Sequence, residues 1–492
     1  MRAYLALDQS TSSTKALLFA ADGRVLDSEA RGHAQHTPQP GWVEHDAEEI
    51  WRNALGVLGV LLGRHRERIP HLACLSLANQ RETVVVFERG SGRPLHPAIV
   101  WQCRRGDRFC AEQGRAGRGE ELRRRTGLPL DAYFSASKLQ WLARNRPELR
   151  ARMGRGEAVA GTMDAYLVHR LTEGRVCATD STNASRTLLY DIHRLGWDPE
   201  LCGWWEVPAA ALPEVRDGLG RFGETTLGGL LPRPLPICGV LGDSQAALLG
   251  QGCVRPGMAK VTFGTGSSVL LNIGAKPLAS GQGLVTALAW THRGVPTYAF
   301  EGIIISSAAT LAWLKDQLGL IGDFASSEAL AQEVADNGGV YLVPAFAGLG
   351  LPYWKPAARG AILGLSTASD RRHVVRAALE SVALQLHDVL AAMGGEAPAP
   401  IASLYGDGGP TANRFLMQLT ADATGTELRI PAGSNGAARG AMIAGRIALG
   451  ELAGPEAAPA SGEEAVYRPA MPAEALRRLR EGWSAAVRRV IS

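Results

Sequence analysis

The chain has 492 residues, which at about 150 residues per domain indicates two to four domains. A net charge of +4, from 52 Lys and Arg against 48 Asp and Glu, excludes an acidic tail protein and gives no electrostatic basis for nucleic-acid binding as its main task. The hydrophobic fraction of 46% excludes disorder over most of the chain, and 58 glycines, well above the usual ~7%, indicate many tight turns or backbone close to a ligand.

The start of the chain and its cysteines indicate a compartment. The sequence MRAYLALDQ enters a strand pattern at once and leaves no room for a signal peptide. The apolar stretches are shorter than the ~20 residues that span a bilayer. Seven scattered cysteines without a CxxC pair predict reduced thiols rather than a disulfide framework or a zinc cluster. We therefore expect a soluble, cytoplasmic protein without a membrane span.

A strand–turn–strand unit opens the chain. Ala3–Leu7 and Lys15–Ala20 are predicted strands, and the Asp22-Gly23 pair is a hairpin signal leading into a third strand, Arg24–Ser28. The turn at 8–14 combines a carboxylate, hydroxyls and backbone N–H groups before a lysine, which suits a metal–polyphosphate. A turn whose hydroxyls bond its own backbone is the ordinary alternative. No Walker A sequence occurs, so a P-loop enzyme is not indicated.

Strand and helix patterns then alternate, as is typical of an α/β fold. Strand patterns cover His71–Leu77 and Thr83–Phe87. Helical periodicity covers Asp46–Arg64, Lys138–Arg144, Arg371–Met393 and an arginine-rich amphipathic stretch, Pro472–Val490.

Three polar clusters follow these elements: NQRE at 79–82, WQCRR at 101–105 and DAY at 131–133. An arginine, a carboxylate, a phenol and an indole suit a small polyol, because charged groups bind its hydroxyls and an aromatic wall meets its carbon chain. Surface ion pairs and core aromatics are the alternative for each cluster.

Asp243 lies between a predicted strand, Ile237–Leu241, and an apolar helix, Ala246–Leu249. The residue is a candidate general base at the mouth of a cleft. A helix-capping aspartate is the alternative.

A second strand–turn–strand unit repeats the first about half a chain later. Ala259–Phe263 and Val269–Ile273 flank GTGSS at 264–268, which indicates a duplicated architecture with a boundary near 239–251. Two ordinary hairpins are the alternative explanation of this similarity. Together with Gly406–Gly409 there are three such loops, each after a strand pattern. They predict a nucleotide cradle, with two loops for phosphates and one for adenosine.

Motifs along the whole chain resemble the FGGY carbohydrate kinases, most closely the members that act on glycerol. The matching segments are GWVEHD (41–46), NQRET (79–83), IVWQCRR (99–105), TNASRT (182–187) and YLVPAF (341–346), with two family signatures at 133–145 and 360–380. The resemblance implies two ribonuclease-H-like α/β domains of the actin/hexokinase superfamily with the active cleft between them. We place these domains at 1–246 and 247–492.

The resemblance also implies an ATP- and Mg²⁺-dependent kinase that phosphorylates a terminal hydroxyl of a small polyol, glycerol first. By position, Asp243 would be the catalytic base. The polyol would be bound by Arg81, Glu82, Trp101, Tyr133, Asp243, Ser244 and Ser268. ATP would be held by Thr11, Ser12, Ser13, Lys15, Gly264, Thr265, Gly266, Ala308, Ala312, Gly409 and Asn413. Mg²⁺ would lie at Asp8 and Asp243, through water.

Some positions depart from the family pattern. On the nucleotide side they are Ser10, Lys15, Ala308 and Ala312. On the substrate side, Ser244 replaces Gln and Ser268 replaces Phe, which enlarges that end of the pocket and makes it more hydrophilic. A kinase for erythritol, a pentitol or a ketopentose is therefore the alternative. Pro232 and Pro234 stand where an allosteric sugar-bisphosphate loop would carry Gly and Arg, so that loop is not matched.

An actin-like ATPase without a sugar acceptor is a more remote alternative, because the same phosphate turns would serve it. It has no need of the polyol constellation. For the kinase we expect a small-molecule partner and a homodimer or homotetramer.

Overall fold

The computed structural model describes residues 2–433, 435–459 and 462–492. The strands up to residue 242 are Ala3–Gln9 (β1), Ser13–Ala20 (β2), Val25–Gly32 (β3), Glu44–His45 (β4), Leu72–Asn79 (β5), Val84–Glu88 (β6), Ala98–Ile99 (β7), Ala158–Thr162 (β8), Ala178–Asp180 (β9), Tyr190–Asp191 (β10), Gly196–Trp197 (β11), Glu214–Arg216 (β12), Arg221–Thr225 (β13) and Leu235–Gly242 (β14). The helices up to residue 250 are Ala47–Arg64 (α1), Asp107–Arg115 (α2), Gly119–Thr126 (α3), Ser135–Asn145 (α4), Pro147–Gly154 (α5), Met163–Leu171 (α6), Ser181–Ala184 (α7), Pro199–Trp204 (α8) and Asp243–Gly250 (α9).

The second half continues the alternation. Its strands are Met258–Phe263 (β15), Ser267–Gly274 (β16), Val285–His292 (β17), Val295–Ile304 (β18), Tyr341–Val343 (β19), Ala361–Leu363 (β20), Ser403–Asp407 (β21), Leu428–Pro431 (β22) and Glu463–Tyr467 (β23). Its helices are Ala308–Asp316 (α10), Ser326–Gln332 (α11), Arg371–Glu396 (α12), Arg414–Thr424 (α13), Gly436–Ala448 (α14) and Ala473–Ile491 (α15). Short 3₁₀ turns cover Arg66–His71, Ala209–Ala211, Gly409–Ala412 and Pro455–Ala457.

Two large sheets share one plan. The first sheet has the order β13-β14-β5-β1-β2-β3, and the second has β17-β18-β16-β15-β21-β22-β23. In each, three neighbouring antiparallel strands (β1-β2-β3 and β15-β16-β18) adjoin two parallel strands (β5 and β14; β21 and β22). The expected duplication and the α/β class are confirmed.

Each sheet is buried on both faces, because its strands carry apolar side chains on alternate sides. In β1, Leu5 and Leu7 pack with α1 and α6, whereas Tyr4 and Ala6 pack with α14. In the second sheet, Val261 packs with α12 and α13, and Leu270 faces the core that contains α9 and α14. The molecule is therefore layered as helices, sheet, two central helices, sheet and helices.

The two central helices cross between the sheets. Helix α9 follows a strand of the first sheet yet contacts β15, β16 and β17 of the second, and α14 follows β22 yet packs on β14, β5 and β1 of the first. Their backbones approach so closely that a Cβ on Gly440 would lie 1.7 Å from Ala246 O, and one on Gly250 would lie 2.0 Å from Gly436 O. Only glycine permits this approach. The proposed boundary at 246/247 falls inside α9 and stays a prediction.

A smaller sheet, β4-β7-β6-β8, carries the polyol clusters at its rim. It packs with α2, α4 and α5 around a third core that includes Leu139 and Phe109. The predicted elements differ from the observed ones mainly at their ends. Strand β3 runs to Gly32 because it pairs with β2 as far as Ser13. No helix in the described part of the chain is long and apolar enough to cross a membrane.

Candidate active site

The turn between β1 and β2, residues 10–12, is built from side chains. Ser10 Oγ accepts from Ser13 N (3.2 Å) and donates to Ser13 O (3.0 Å). His33 Nε2 contacts Thr11 O (2.9 Å), and Trp101 Nε1 donates to Thr11 Oγ1 (3.0 Å). At the start of β2, Lys15 Nζ donates to Asn435 Oδ1 (2.6 Å), just before α14. The Ser10 hydroxyl therefore bonds its own turn, whereas Thr11 and Lys15 are joined to other segments of the chain.

The corresponding turn between β15 and β16, residues 264–266, is built from backbone. Its carbonyls accept from the start of α10, with Ser307 N at 2.9 Å from Thr265 O and Ala308 N at 3.0 Å from Gly264 O. A Cβ on Gly266 would lie 2.5 Å from Ile304 O, so only glycine fits there.

The third loop packs directly on this second turn. Gly408 has a φ of +103°, and a Cβ on it would lie 1.9 Å from Phe263 O. The next residue, Gly409, faces open space, because nothing lies within 4 Å of the Cβ position. Asn413 caps α13 by accepting from Leu416 N (2.8 Å), and its Nδ2 donates to Ser327 Oγ (3.3 Å). The second and third predicted loops are thus adjacent, as a nucleotide cradle requires.

Ala308 and Ala312 lie one turn apart on α10, both half-buried. The first is joined to the glycine turn through its N–H.

A buried network of four charged side chains holds the NQRE cluster. Arg81 donates to Glu301 Oε1 (2.8 Å), whose other oxygen pairs with Arg186, and Arg186 pairs in turn with Glu82. Arg81 and Glu82 are 6% and 1% exposed, so the alternative of a surface ion pair is wrong. Burial alone would raise the pKa of Glu301, but the two arginines lower it to about 2. Glu82 itself has a φ of +60°.

Asp243 is the first residue of α9, and its side chain stays partly exposed (36%). Its Oδ1 lies 3.3 Å from Arg81 Nε and accepts from Ser244 N (2.6 Å). Gly242 occupies the helix-cap position, so the capping alternative is wrong. A carboxylate with an exposed oxygen beside a buried arginine can accept a proton from a bound hydroxyl.

Two aromatic rings lie against each other on the predicted polyol side. Trp101 and Tyr133 have ring centroids 5.1 Å apart. Burial first, and then the Glu82 carboxylate, raise the pKa of Tyr133, so its phenol stays protonated. The Tyr133 loop is held by Lys138, whose fully buried ammonium donates to the carbonyls of Ala132 (2.5 Å), Tyr133 (2.8 Å) and Phe134 (3.1 Å).

Three carboxylates, Asp8, Asp243 and Asp407, converge between the two turns. Burial and then the charges of Asp243 and Asp407 raise the pKa of Asp8 to about 7, against the opposing effect of Lys15. Asp407 Oδ1 is buried without a hydrogen-bond partner among the described residues. A divalent cation would relieve this repulsion, so the residues present fit Mg²⁺. No group of three or more protein ligands close enough to hold a metal alone occurs in the described ranges, and Mg²⁺ ordinarily relies on water and phosphates.

Ser268 lies opposite Thr262 in the β15–β16 ladder, and its hydroxyl is buried without a partner in the described structure. Thr262 Oγ1 accepts from Lys260 (3.0 Å), a fully buried lysine whose pKa is lowered by burial. The charges of Asp407, Arg81 and Asp243 all act on that lysine. Ser268 thus adjoins the charged centre, while Ser244 lies beside Asp243 in α9.

Five residues of this site were assigned no role of their own from the sequence: Lys138, Arg186, Lys260, Glu301 and Asp407. Lys138 and Arg186 lie inside quoted motifs, but their partners are not apparent from spacing. A glutamate in the middle of an apolar strand, AFEGII at 299–304, was the available signal for Glu301.

Two family models match the chain. The N-terminal domain of the FGGY family of carbohydrate kinases matches residues 3–250, and the C-terminal domain of the same family matches 259–449. A curated relative, the glycerol kinase of Halorhodospira halophila, is 45% identical over 488 residues, covering 99% of this chain and 96% of that protein.

Solved structures are similar as well. The Plasmodium falciparum glycerol kinase with ADP has a TM-score of 0.94 at 32% identity, covering 100% of this chain and 99% of that one. The xylulose kinase of Rhodospirillum rubrum has a TM-score of 0.89 at 26% identity, with 99% of each chain covered.

Proposed function

The chain belongs to the FGGY family of carbohydrate kinases, and on this premise we propose that it transfers the γ-phosphoryl group of ATP to a terminal hydroxyl of glycerol. The observation that carries the proposal is the partly exposed Asp243 carboxylate beside the buried Arg81–Glu82 pair, between the two sheets. An ATPase without an acceptor has no use for this arrangement. Relatives with glycerol kinase names over almost the whole length support the choice of glycerol.

In this proposal Arg81 and Glu82 bind the polyol hydroxyls through charged hydrogen bonds, and Trp101 and Tyr133 contact its carbon chain. Asp243 accepts the proton of the terminal hydroxyl as its oxygen attacks the γ-phosphorus in line. The new P–O bond forms as the bond to the β-phosphate oxygen breaks, and ADP leaves.

Groups from both turns stabilise the negative charge that develops on the transferred phosphoryl group. Lys15 and the hydroxyls of Thr11, Ser12 and Ser13 act from the first turn. Backbone N–H groups of Thr265 and Gly266 act from the second, because the N–H of Gly264 already donates to Gly266 O (2.9 Å). Asp8 and Asp243 would hold Mg²⁺, which would supply positive charge to the phosphate oxygens. Ala308, Ala312, Gly409 and Asn413 border the adenosine in this proposal.

Replacing the base tests the proposal. We expect Asp243→Asn to lower kcat by roughly 10²- to 10⁴-fold, the usual contribution of general-base catalysis, because the amide cannot accept the proton. Binding of ATP, measured by calorimetry, should change little. The surface variant Asp316→Asn is the matched control. Turnover of Asp243→Asn at the wild-type rate would refute the assignment.

A second acceptor class, four- and five-carbon polyols and ketoses, is favoured by one observation. The Ser268 hydroxyl is buried without a partner in the described structure, and such a group ordinarily has one. A further substrate hydroxyl could be that partner. An assay of ADP release with glycerol, erythritol, pentitols and ketopentoses distinguishes the two acceptor classes. A kcat/KM for glycerol far below that for a longer polyol would replace glycerol as the proposed substrate.

We further propose a cytoplasmic enzyme that forms a homodimer or homotetramer. The seven free cysteines support a reducing compartment. Light scattering of the purified protein tests the oligomeric state.

A further inference from the structure

The first phosphate turn and the polyol side are joined by a closed ring of hydrogen bonds, here called the Thr11 ring. Gln80 Nε2 donates to Gln9 Oε1 (3.1 Å), and Thr83 Oγ1 donates to Gln80 Oε1 (2.8 Å). Trp101 N donates to Thr83 Oγ1 (3.3 Å), and Trp101 Nε1 donates to Thr11 Oγ1 (3.0 Å). The chain between Gln9 and Thr11 closes the ring.

Chemistry fixes the direction of the two bonds that Trp101 makes in the ring. An indole N–H can only donate, so Thr11 Oγ1 must be the acceptor. The single hydroxyl proton of Thr11 then points elsewhere, and it has no acceptor among the described residues. A threonine hydroxyl held as an acceptor on one side is a donor on the other, which suits a phosphate oxygen.

Three residues of the ring are buried, whereas Thr11 and Trp101 are half-buried. Gln9, Gln80 and Thr83 are all within 1% of full burial, and a second bond, Gln80 N to Gln9 O (2.7 Å), ties the same two segments together. Buried, mutually satisfied polar groups hold one geometry, because water cannot replace a lost partner. Displacing the Trp101 ring would therefore move the Thr11 hydroxyl.

We propose that Trp101 is a positioning residue for the phosphoryl donor as well as a wall for the polyol. Its indole N–H holds the Thr11 hydroxyl as a donor towards the phosphates of ATP. A polyol packed on the ring fixes the indole, so the polyol and the nucleotide bind with positive coupling, each strengthening the other by the same factor. The inference rests on the proposed function, since it assigns the two ligands to the two sides of the ring.

The test is a double-mutant cycle on the binding of a non-hydrolysable ATP analogue, by calorimetry with and without glycerol. Trp101→Phe keeps an aromatic wall but removes the N–H donor. We expect it to weaken the analogue roughly three- to tenfold, as for one lost hydrogen bond, and to reduce the gain that glycerol confers. In a Thr11→Val background the same change should have no further effect on the analogue.

Two further variants control for folding and for direct contact. Thr83→Val cuts the ring at a residue assigned to neither ligand, and it should weaken the analogue about as Trp101→Phe does. Trp197→Phe removes an indole that donates to Pro213 O (2.8 Å) outside the ring, and binding should not change.

Additive effects of Trp101→Phe and Thr11→Val, or unchanged coupling in Trp101→Phe, would overturn the inference. Because calorimetry needs no turnover, the inference about the Thr11 ring can be refuted while the Asp243→Asn result still supports the proposed function. If no acceptor is phosphorylated, the proposed function fails and the analogue binding still reports on the ring.

Discussion

The turn between β1 and β2 and the turn between β15 and β16 occupy the same place in two sheets that share one plan. The first turn relies on side-chain groups, whereas the second relies on backbone groups. The first presents hydroxyls and a lysine, and other side chains hold it from outside, including His33 and Trp101. The second contains two glycines, is held by the N–H groups that open α10, and leaves no space for a Cβ at Gly266. One topological position thus supports recognition by charge and recognition by backbone.

The difference shows how the two halves of a duplicated fold can offer different kinds of binding group. Side-chain groups can be placed on either side of a turn, so in our proposal the first turn serves both the polyol, through Trp101, and the nucleotide, through Lys15. Backbone N–H groups carry no net charge and need close approach, so the second turn suits phosphate alone. The two halves should therefore respond differently to substitution.

Within the two turns, the largest expected effect is the loss of the cation in the first turn. Lys15→Met should lower kcat/KM for ATP by roughly 10²- to 10³-fold, the usual cost of removing one group that stabilises transition-state charge. Steady-state kinetics at fixed, saturating glycerol measures it. Lys15→Arg should recover most of the activity, because it keeps the charge. A Lys15→Met enzyme within twofold of wild type would contradict a charge-based first turn.

A smaller effect is expected in the second turn, from shape rather than charge. An added methyl at Gly266 meets the carbonyls of Ile304 (2.5 Å) and Ile305 (2.9 Å), which are backbone atoms that cannot turn aside. Gly266→Ala should cost about 1–3 kcal/mol of unfolding free energy, as overpacking does, and weaken ATP binding about tenfold. Chemical denaturation and calorimetry measure the two.

The control for Gly266→Ala is Gly322→Ala, where an added Cβ meets nothing within 4 Å. It should leave ATP binding unchanged. If Gly266→Ala bound ATP as tightly as this control, the second turn would not depend on close backbone approach.

The smallest effect concerns the other side-chain device of the first half, Lys138. Burial lowers its pKa to about 8, so above that pH the neutral amine has two N–H donors for three carbonyls. We expect the KM for glycerol to rise a few-fold between pH 7 and pH 9.5, with kcat changing less, as the Tyr133 loop loosens. Tyr133 itself does not ionise in this range, because burial raises its pKa.

Lys138→Met gives the matched comparison for this pH dependence. Its KM should be raised at every pH and should no longer change above pH 8. A constant KM in the wild-type enzyme up to pH 9.5 would refute the role of the ammonium.

Local patterns in the sequence predicted much of this fold. The strand–turn–strand units could be predicted because the alternation of apolar residues, the turn residues and the glycines each act over fewer than ten residues. The resemblance then grouped distant clusters, and the structure brings Arg81, Asp243, Trp101 and Tyr133 together. The site residues are where sequence reasoning was most useful, although their roles stay proposals.

The buried charges could not be predicted from spacing. Arg186 pairs with Glu82, 104 positions away in the sequence, and with Glu301, 115 positions away. No local sequence pattern marks such a pair. The ordinary expectation for charged residues is a solvated surface, and it was wrong for Arg81 and Glu82. Glu301 was the exception, because a carboxylate in an apolar strand indicates a buried charge that needs a partner.

The crossing of α9 and α14 has a consequence for how the chain is made. The strands of the first sheet are complete at Gly242, but one face of that sheet is covered by α14, residues 436–448. During synthesis, the sheet face that carries Tyr4 and Ala6 stays uncovered until almost the whole chain, including α14, has left the ribosome. Contacts across so long a stretch form slowly and leave apolar surface exposed meanwhile. The nascent first half is thus the stage at which this protein most needs protection from aggregation.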